Sequence, residues 1–285
     1  MKFLRSNAEV FVPSGGRPED ALARTTHIGV GAHQDDVEIL AMHGILECRR
    51  DTSKRFAAVV CTDGAGSPRS GIYANYTNEQ MQEVRWQEQR QAAMLGSYSA
   101  AVQLKHSSSA VKDPGNMDVI SDLKTIFQTA RPSVVYTHNL ADKHDTHVAV
   151  AVKLIQTLRQ LPPERRPDRL YGCEVWRGLD WLPDAEKVVF NVGGSEHLSA
   201  GLLGVYDSQI AGGKRYDLAT FGRWRANATY LESHGVDTAE LVLFAADLTP
   251  LIRDDRLDIV EFATAPVERL KKDVAARLGK ALGKP

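Results

Sequence analysis

The chain has 285 residues, 43% apolar and 25% charged, with a formal net charge of −1. That composition suits a globular protein with a sizeable core. The near-zero charge lacks the basic footprint that nucleic acid or an anionic membrane selects.

After a lead with turn signals at Pro13-Ser14-Gly15-Gly16, strand-like and helix-like segments alternate. Ile28 to Ala32 is a short apolar run that reads as a buried strand, and Val37 to Arg50 has helical periodicity. Phe56 to Cys61, with Val59 and Val60, is a second strand, running into the Gly-rich loop Asp63 to Gly71. Asn78 to Leu95 reads as a long helix with Thr77 or Asn78 as its cap and Gly96 at its end. Val102 to Leu104 is a strand, Asp118 to Ala130 a helix, and Val134 to Thr137 a strand. Val148 to Leu161 is a helix stopped by Pro162-Pro163, and Leu170 to Trp176 is another strand. Beyond it come helices over Glu196 to Gln209 and Asp217 to Ser233, the apolar segment Leu241 to Ala245, and a Lys/Arg-rich surface helix or tail from Lys271 to Lys284. Alternation of this kind predicts an α/β fold, a Rossmann-like mostly parallel sheet sandwiched by helices. We expect one domain over 1–285, with a core at about 25–180 and a C-terminal elaboration at about 181–265.

Open α/β sheets place their chemistry at the carboxyl ends of strands. The first buried strand ends in Ala32-His33-Gln34-Asp35-Asp36, and the strand Val134 to Thr137 leads to His138 and then Asp142-Lys143-His144-Asp145-Thr146-His147. A catalytic zinc site uses three protein ligands and keeps a position for water. His33 and Asp36 can supply two ligands and His147 a third, provided the two strand ends are neighbours. Asp35, beside a ligand yet pointing differently, is the candidate general base. Other uses of these residues are ordinary. Asp35 or Asp36 could cap the following helix, and His138 could be a hydrogen-bonded core histidine. Arg85 and Glu88 could be a helix-face ion pair, Ser208-Gln209 a plain helix end, and His234 a structural residue at a helix terminus. Gly29 and Gly31 resemble a dinucleotide fingerprint, but Gln34 stands where its third glycine belongs. The two glycines more simply allow close packing beneath the site.

Ala32-His33-Gln34-Asp35-Asp36 together with His144-x-x-His147 resembles the PIG-L (LmbE-like) family of zinc-dependent N-acetylglucosaminyl deacetylases, whose signatures are Ala-His-Pro-Asp-Asp and His-Pro-Asp-His. Thr62-Asp63-Gly64, Arg85-x-x-Glu88 and Ser208-Gln209 extend the likeness over most of the chain. The resemblance implies that His33, Asp36 and His147 hold the metal and that Asp35 is the base. It makes His144 the group that stabilises the oxyanion or protonates the leaving amine, and Arg69, more loosely, a substrate contact. Zn2+ is the implied cofactor, and Fe2+ suits the same ligands. The implied reaction is hydrolysis of the acetamide of an N-acetylglucosamine-type sugar or its conjugate. An amidase on a related conjugate, such as a thiol-sugar, and a metal-binding module without turnover are the alternatives. Gln34 replaces the family's Pro. Thr146 stands where the family has the Asp that orients the catalytic histidine, leaving Asp142 or Asp145 to do so.

The expected partner is therefore a small N-acetylated sugar, with neither nucleic acid nor membrane, and a homo-oligomer is compatible with the resemblance. The N-terminus lacks a signal-peptide core and no apolar run approaches a membrane span, which makes the cytoplasm the default location. Cys48, Cys61 and Cys173 are odd in number and far apart, and read as buried small hydrophobes rather than a disulfide framework.

Overall fold

The computed structural model describes residues 1–229 and 235–284; His234 and the end of the helix expected to reach Ser233 lie outside them. Eight strands form one sheet: β1 (Glu9–Phe11), β2 (His27–Gly31), β3 (Phe56–Thr62), β4 (Ala100–His106), β5 (Val134–His138), β6 (Arg169–Cys173), β7 (Lys187–Asn191) and β8 (Val242–Asp247). Their order is β1-β4-β3-β2-β5-β6-β8-β7. The five central strands, β4 to β6, run parallel, while β1, β7 and β8 pair antiparallel at the edges. The order reverses between β2 and β5, which are direct parallel neighbours in register from His27 opposite Val134. That is the switch point at which such sheets open a crevice beyond the strand ends.

Both faces are covered. Ile28, Val30 and Val59 pack with Leu123, Ile126 and Leu154 of the helices Asp118–Thr129 and Asp145–Arg159. On the other face Val60 and Tyr136 meet Val37, Leu40 and Ile45. The alternation in β2 is a β-branched side chain on one face and glycine on the other. A Cβ on Gly29 would lie 2.8 Å from Val37 Cγ1 and 3.0 Å from Ala41 Cβ. The glycines thus let the helix Asp36–Leu40 settle directly on the strand that feeds it.

Several elements differ from the sequence reading. The stretch from Val37 to Arg50 is two helices, Asp36–Leu40 and Met42–Arg50, parted at Ala41, whose φ of −113° and ψ of 17° leave the helical well. Glu196 to Gln209 likewise divides into Glu196–Gly204 and Asp207–Ile210. The helix Asp145–Arg159 starts three residues before Val148 because the His144 side chain caps it, accepting from Thr146 N. Asn78–Leu95 begins with a full capping box between Thr77 and Gln80. The basic C-terminal segment belongs to the helix Ile259–Ala281. Among the described residues no helix is long and apolar enough to cross a membrane.

Candidate metal and catalytic site

The turn after β2 and the start of the helix after β5 meet at the switch point, where they wall a cavity of about 350 Å³. Asp36 lies at its centre. Its Oδ2 is 3.3 Å from His33 Nδ1, 3.5 Å from His147 Nε2 and 3.4 Å from His138 Nε2. One donor atom each from His33, Asp36 and His147 lies within 4.8 Å of the others. Burial alone would raise the Asp36 carboxyl, but the adjacent His147 and His138 imidazoles, with His33 beside them, draw it well below the usual range. Asp36 does not cap its helix forward. Its Oδ2 accepts from His33 N at 2.7 Å, which closes the turn and fixes the two side chains together.

His147 is held from behind. Its Nδ1 is 3.1 Å from Asp142 Oδ2, so Nδ1 carries the proton and the Nε2 lone pair faces Asp36. A carboxylate on the far nitrogen is the arrangement that orients metal-ligating imidazoles. Two imidazole nitrogens and a carboxylate oxygen, converging with lone pairs inward, are a donor set that fits a divalent cation. His138 belongs to this assembly without lying in the three-residue ligand set. Its Nε2 accepts the Ala32 N–H at 2.9 Å, and its ring stacks on His147 with centroids 3.9 Å apart. It therefore ties the β2 turn to the histidine of the helix after β5. A second set of close donors, His138, Asp142 and His147, reuses the same side chains.

Asp35 is buried and adopts φ +101°, a strained backbone for a residue with a Cβ. Arg85 holds it there, with Nη2 donating to Gln34 O and lying 3.3 Å from Asp35 Oδ1. Burial pushes the Asp35 carboxyl up, the Arg85 guanidinium pulls it down, and the Asp36 charge adds to the upward shift. Arg85 is more than half of a helix-face pair. Nη1 also reaches Glu88 Oε2 at 3.3 Å and Ser208 Oγ at 3.2 Å, and Ser208 N and Oγ both donate to Glu88 at 2.7 Å. The Arg85, Glu88 and Ser208 signals thus form one buried network beneath Asp35. Gly64, at φ +81°, fits here because a Cβ would come within 3.0 Å of both Gln34 Oε1 and Arg85 Cβ.

His144 lines the cavity beside His33 and His147. Of the two acids considered for orienting it, Asp142 is engaged with His147 Nδ1 and with the His144 backbone N–H at 2.8 Å. Asp145 is exposed at the first position of the helix. The His144 ring instead accepts the Thr146 N–H at Nδ1, 3.3 Å away. Its proton is therefore on Nε2 in the neutral ring. Burial, then the neighbouring His147 and His33, hold its pKa below the ordinary value. Arg69 is placed differently. Its guanidinium donates to Ala65 O, Ser67 O, Tyr76 O and Asn78 Oδ1, binding the loop after β3 into shape. Gly66, Ser67 and Pro68 of that loop line the cavity, and Arg69 does not.

Other lining residues carried no catalytic signal in the sequence. They include Trp176 after β6 and Lys112 of the helix Ser108–Lys112. Lys214 and Tyr216, which also line the cavity, come from the segment 212–216, readable in the sequence as a lid or anion contact or equally as an ordinary loop. Tyr216 opens the helix Tyr216–Ala228.

Residues 28–158 match the family model described as PIG-L, GlcNAc-PI de-N-acetylase. No curated protein matches the chain by sequence. Solved structures that share its fold include these three. The N,N'-diacetylchitobiose deacetylase of Pyrococcus horikoshii, in complex with its inhibitor, aligns with a TM-score of 0.59 and 16% identity over 77% of this chain and 83% of that one. The conserved protein TT1542 of Thermus thermophilus aligns with a TM-score of 0.60 and 16% identity over 82% and 99%. The 4-carboxy-2-hydroxymuconate hydratase GalB of Pseudomonas putida aligns with a TM-score of 0.59 and 13% identity over 79% and 96%.

Proposed function

From the match of residues 28–158 to the PIG-L family model we propose that the chain is a metal-dependent amide hydrolase removing the acetyl group from an N-acetylglucosamine-type sugar or its conjugate. His33, Asp36 and His147 would hold the ion, Zn2+ in our reading. When bound, such an ion polarises the amide carbonyl and lowers the pKa of water. The observation that carries the reading is a buried carboxylate, Asp35, next to a ligand but itself outside the ligand set and salt-bridged to Arg85. A purely structural metal site has no use for that spare base.

Asp35 accepts the proton of the attacking water as its oxygen adds to the carbonyl carbon. Arg85 keeps the carboxylate aimed while it is charged and leaves it able to take a proton. His144, with its proton on Nε2, is a neutral donor to the developing oxyanion. Asp35 then returns its proton to the departing amine, which completes the balance. Thr146 meets His144 through its backbone N–H, a donor to Nδ1 where the family's aspartate side chain would be an acceptor, and this leaves the ring proton on Nε2.

Fold alone does not fix the reaction, since a hydratase shares it. The test is acetate release from a panel of N-acetylglucosamine compounds by the zinc-loaded protein, beside Asp35→Asn and His147→Ala. Acetate from wild type only, with metal retained in Asp35→Asn and lost in His147→Ala, is the expected result. Full turnover by metal-bound Asp35→Asn would sink the mechanism, and a larger acid in place of acetate would point to an amidase.

A further inference from the structure

The helix Ile259–Ala281 rests on the body through one face of its first half. Ile259 and Phe262 pack against the core, Pro266 is buried, and Arg269 reaches Glu186 with two nitrogens at 2.7 and 2.6 Å. Those four positions follow helical spacing and form an inward stripe. Beyond them, every residue from Lys271 to Lys284 is exposed except Gly279. The second half of the helix thus projects into solvent. An isolated helix of fewer than about 12–15 residues is marginal in water, and Gly279 weakens this stretch further.

A second, apolar stripe runs beside the first. Val260, Val267 and Val274 recur every seven residues, and Leu278 lies one turn beyond Val274. Val260 is 69% exposed, Val267 41%, Val274 48% and Leu278 58%. Contiguous exposed apolar surface of this kind marks an interaction site. A seven-residue repeat is the spacing that keeps a seam turned toward a partner helix.

The charges beside the seam select the partner. Residues 267–284 hold six Lys or Arg and two Asp or Glu, an excess that an anionic lipid surface could use. Three of those cations are already engaged, however, Arg269 with Glu186, Lys271 with Glu268 and Arg277 with Asp273. The stripe also lacks the Trp or Phe that membrane-surface helices bury. Ion pairs lacing the polar flank of a valine and leucine seam suit a helix partner instead. The charges are unevenly placed as well. From Ala276 to Lys284 stand Arg277, Lys280 and Lys284 and no acid, while Glu268 and Asp273 both lie earlier. Antiparallel packing brings the acid-bearing half of one helix against the acid-free half of another copy. Asp273 and Lys280 each directly precede a seam position, Val274 and Ala281, and flanking charges at such positions pair across the seam.

We propose that this stripe is a self-association surface, on which the same helix of a second copy of the chain packs antiparallel. One surface meeting its own copy about a two-fold axis closes at two chains. None of these residues lines the metal cavity, so the pairing is independent of the deacetylase reading.

Sedimentation equilibrium of the full chain across micromolar concentrations tests it. Wild type should reach at least the mass of two chains. Val274→Glu with Leu278→Glu, which places charge in the seam, should weaken the association about 100-fold or more. Both positions are exposed in the single chain, so circular dichroism and metal content should keep their wild-type values. Lys280→Glu alone should weaken association about two- to fivefold, and adding Asp273→Lys should restore it. A chain that stays monomeric throughout, or an assembly indifferent to the two glutamates, would overturn the proposal. Failure of Asp273→Lys to rescue would overturn the antiparallel order. Phosphatidylglycerol vesicles are the competing occupant. A monomer that sediments with them, and no longer does so with Val274→Glu and Leu278→Glu, would give the stripe to lipid instead.

Discussion

Asp142 shows how much of this site depends on a side chain that would not touch the ion. Its two oxygens do different work, Oδ2 fixing the tautomer of His147 and Oδ1 holding the His144 backbone N–H. Removing the carboxylate frees the His147 ring to rotate and lets its proton move to the nitrogen that should face the cation. Asp142→Ala is therefore expected to weaken metal retention by about 10–100-fold, as losses behind a ligating histidine do. Competition against a graded series of chelators would measure it, and an affinity equal to wild type would count against His147 as a ligand. The residue was visible in the sequence only as one of two acids available to orient His144. Which histidine it serves depends on the geometry of the turn between β5 and the next helix, and spacing does not encode that. His138 was equally opaque, because a strand-ending histidine reads the same whether it fills a core or, as here, pins the Ala32 backbone.

At the scale of elements, the glycine face of β2 sets how deeply the helix bearing Asp36 can sit. A methyl group at Gly29 would meet Val37 Cγ1 at 2.8 Å, closer than ordinary packing allows, with Ala41 and Phe56 immediately behind it. Gly29→Ala should cost about 1–3 kcal/mol through overpacking and displace Asp36 from the histidines. Denaturant unfolding together with metal titration would reveal both effects, and a variant as stable as wild type would show that the helix shifts freely. This close approach was legible from Gly29-Val30-Gly31, as were the central strands and the capped helix Asn78–Leu95, whose signals are local. What escaped was set by tertiary context. β1 is a three-residue edge strand, too short for a periodic signal, and β7 follows a turn whose strand character comes only from pairing with β8. The short helix Ser108–Lys112, which carries Lys112, has too few turns to show periodicity. Arg69 and Arg85 exchange the importance their sequence settings suggest. An arginine in a glycine-rich loop looks free for a ligand, yet it organises that loop. An arginine three residues from a glutamate looks like a surface pair, yet it is buried against the candidate base.

At the scale of the whole molecule, the face of the sheet opposite β2's aliphatic side chains buries neutral histidines. His27 is stacked near Tyr136, with centroids 6.5 Å apart, and His43 Nδ1 is 2.8 Å from the Tyr136 hydroxyl with its ring stacked on Phe190. Burial pushes both imidazoles down from 6.5 to about 4. The fold thus prefers the neutral rings, while the unfolded chain protonates them near pH 6.5. Between those values the unfolded state binds more protons than the native one, so stability rises with pH across the window. The contribution is fully present above about pH 6.5 and is lost progressively as pH falls toward 4. Unfolding free energy measured in denaturant should therefore drop from pH 7 to pH 4. Replacing His43 with a residue that cannot titrate, as in His43→Gln, should flatten that drop even though it lowers stability at neutral pH by disturbing the Tyr136 contact. A variant with the wild-type acid slope would show that the loss comes from elsewhere. Metal-free protein is the right sample, because proton competition for the metal ligands would add a loss of its own. The two losses differ in kind: the His27 and His43 contribution persists without metal, whereas the competition loss appears only when the ion is bound. Comparing the acid profiles of metal-free and metal-loaded protein thus isolates the part of the acid loss that depends on the ion.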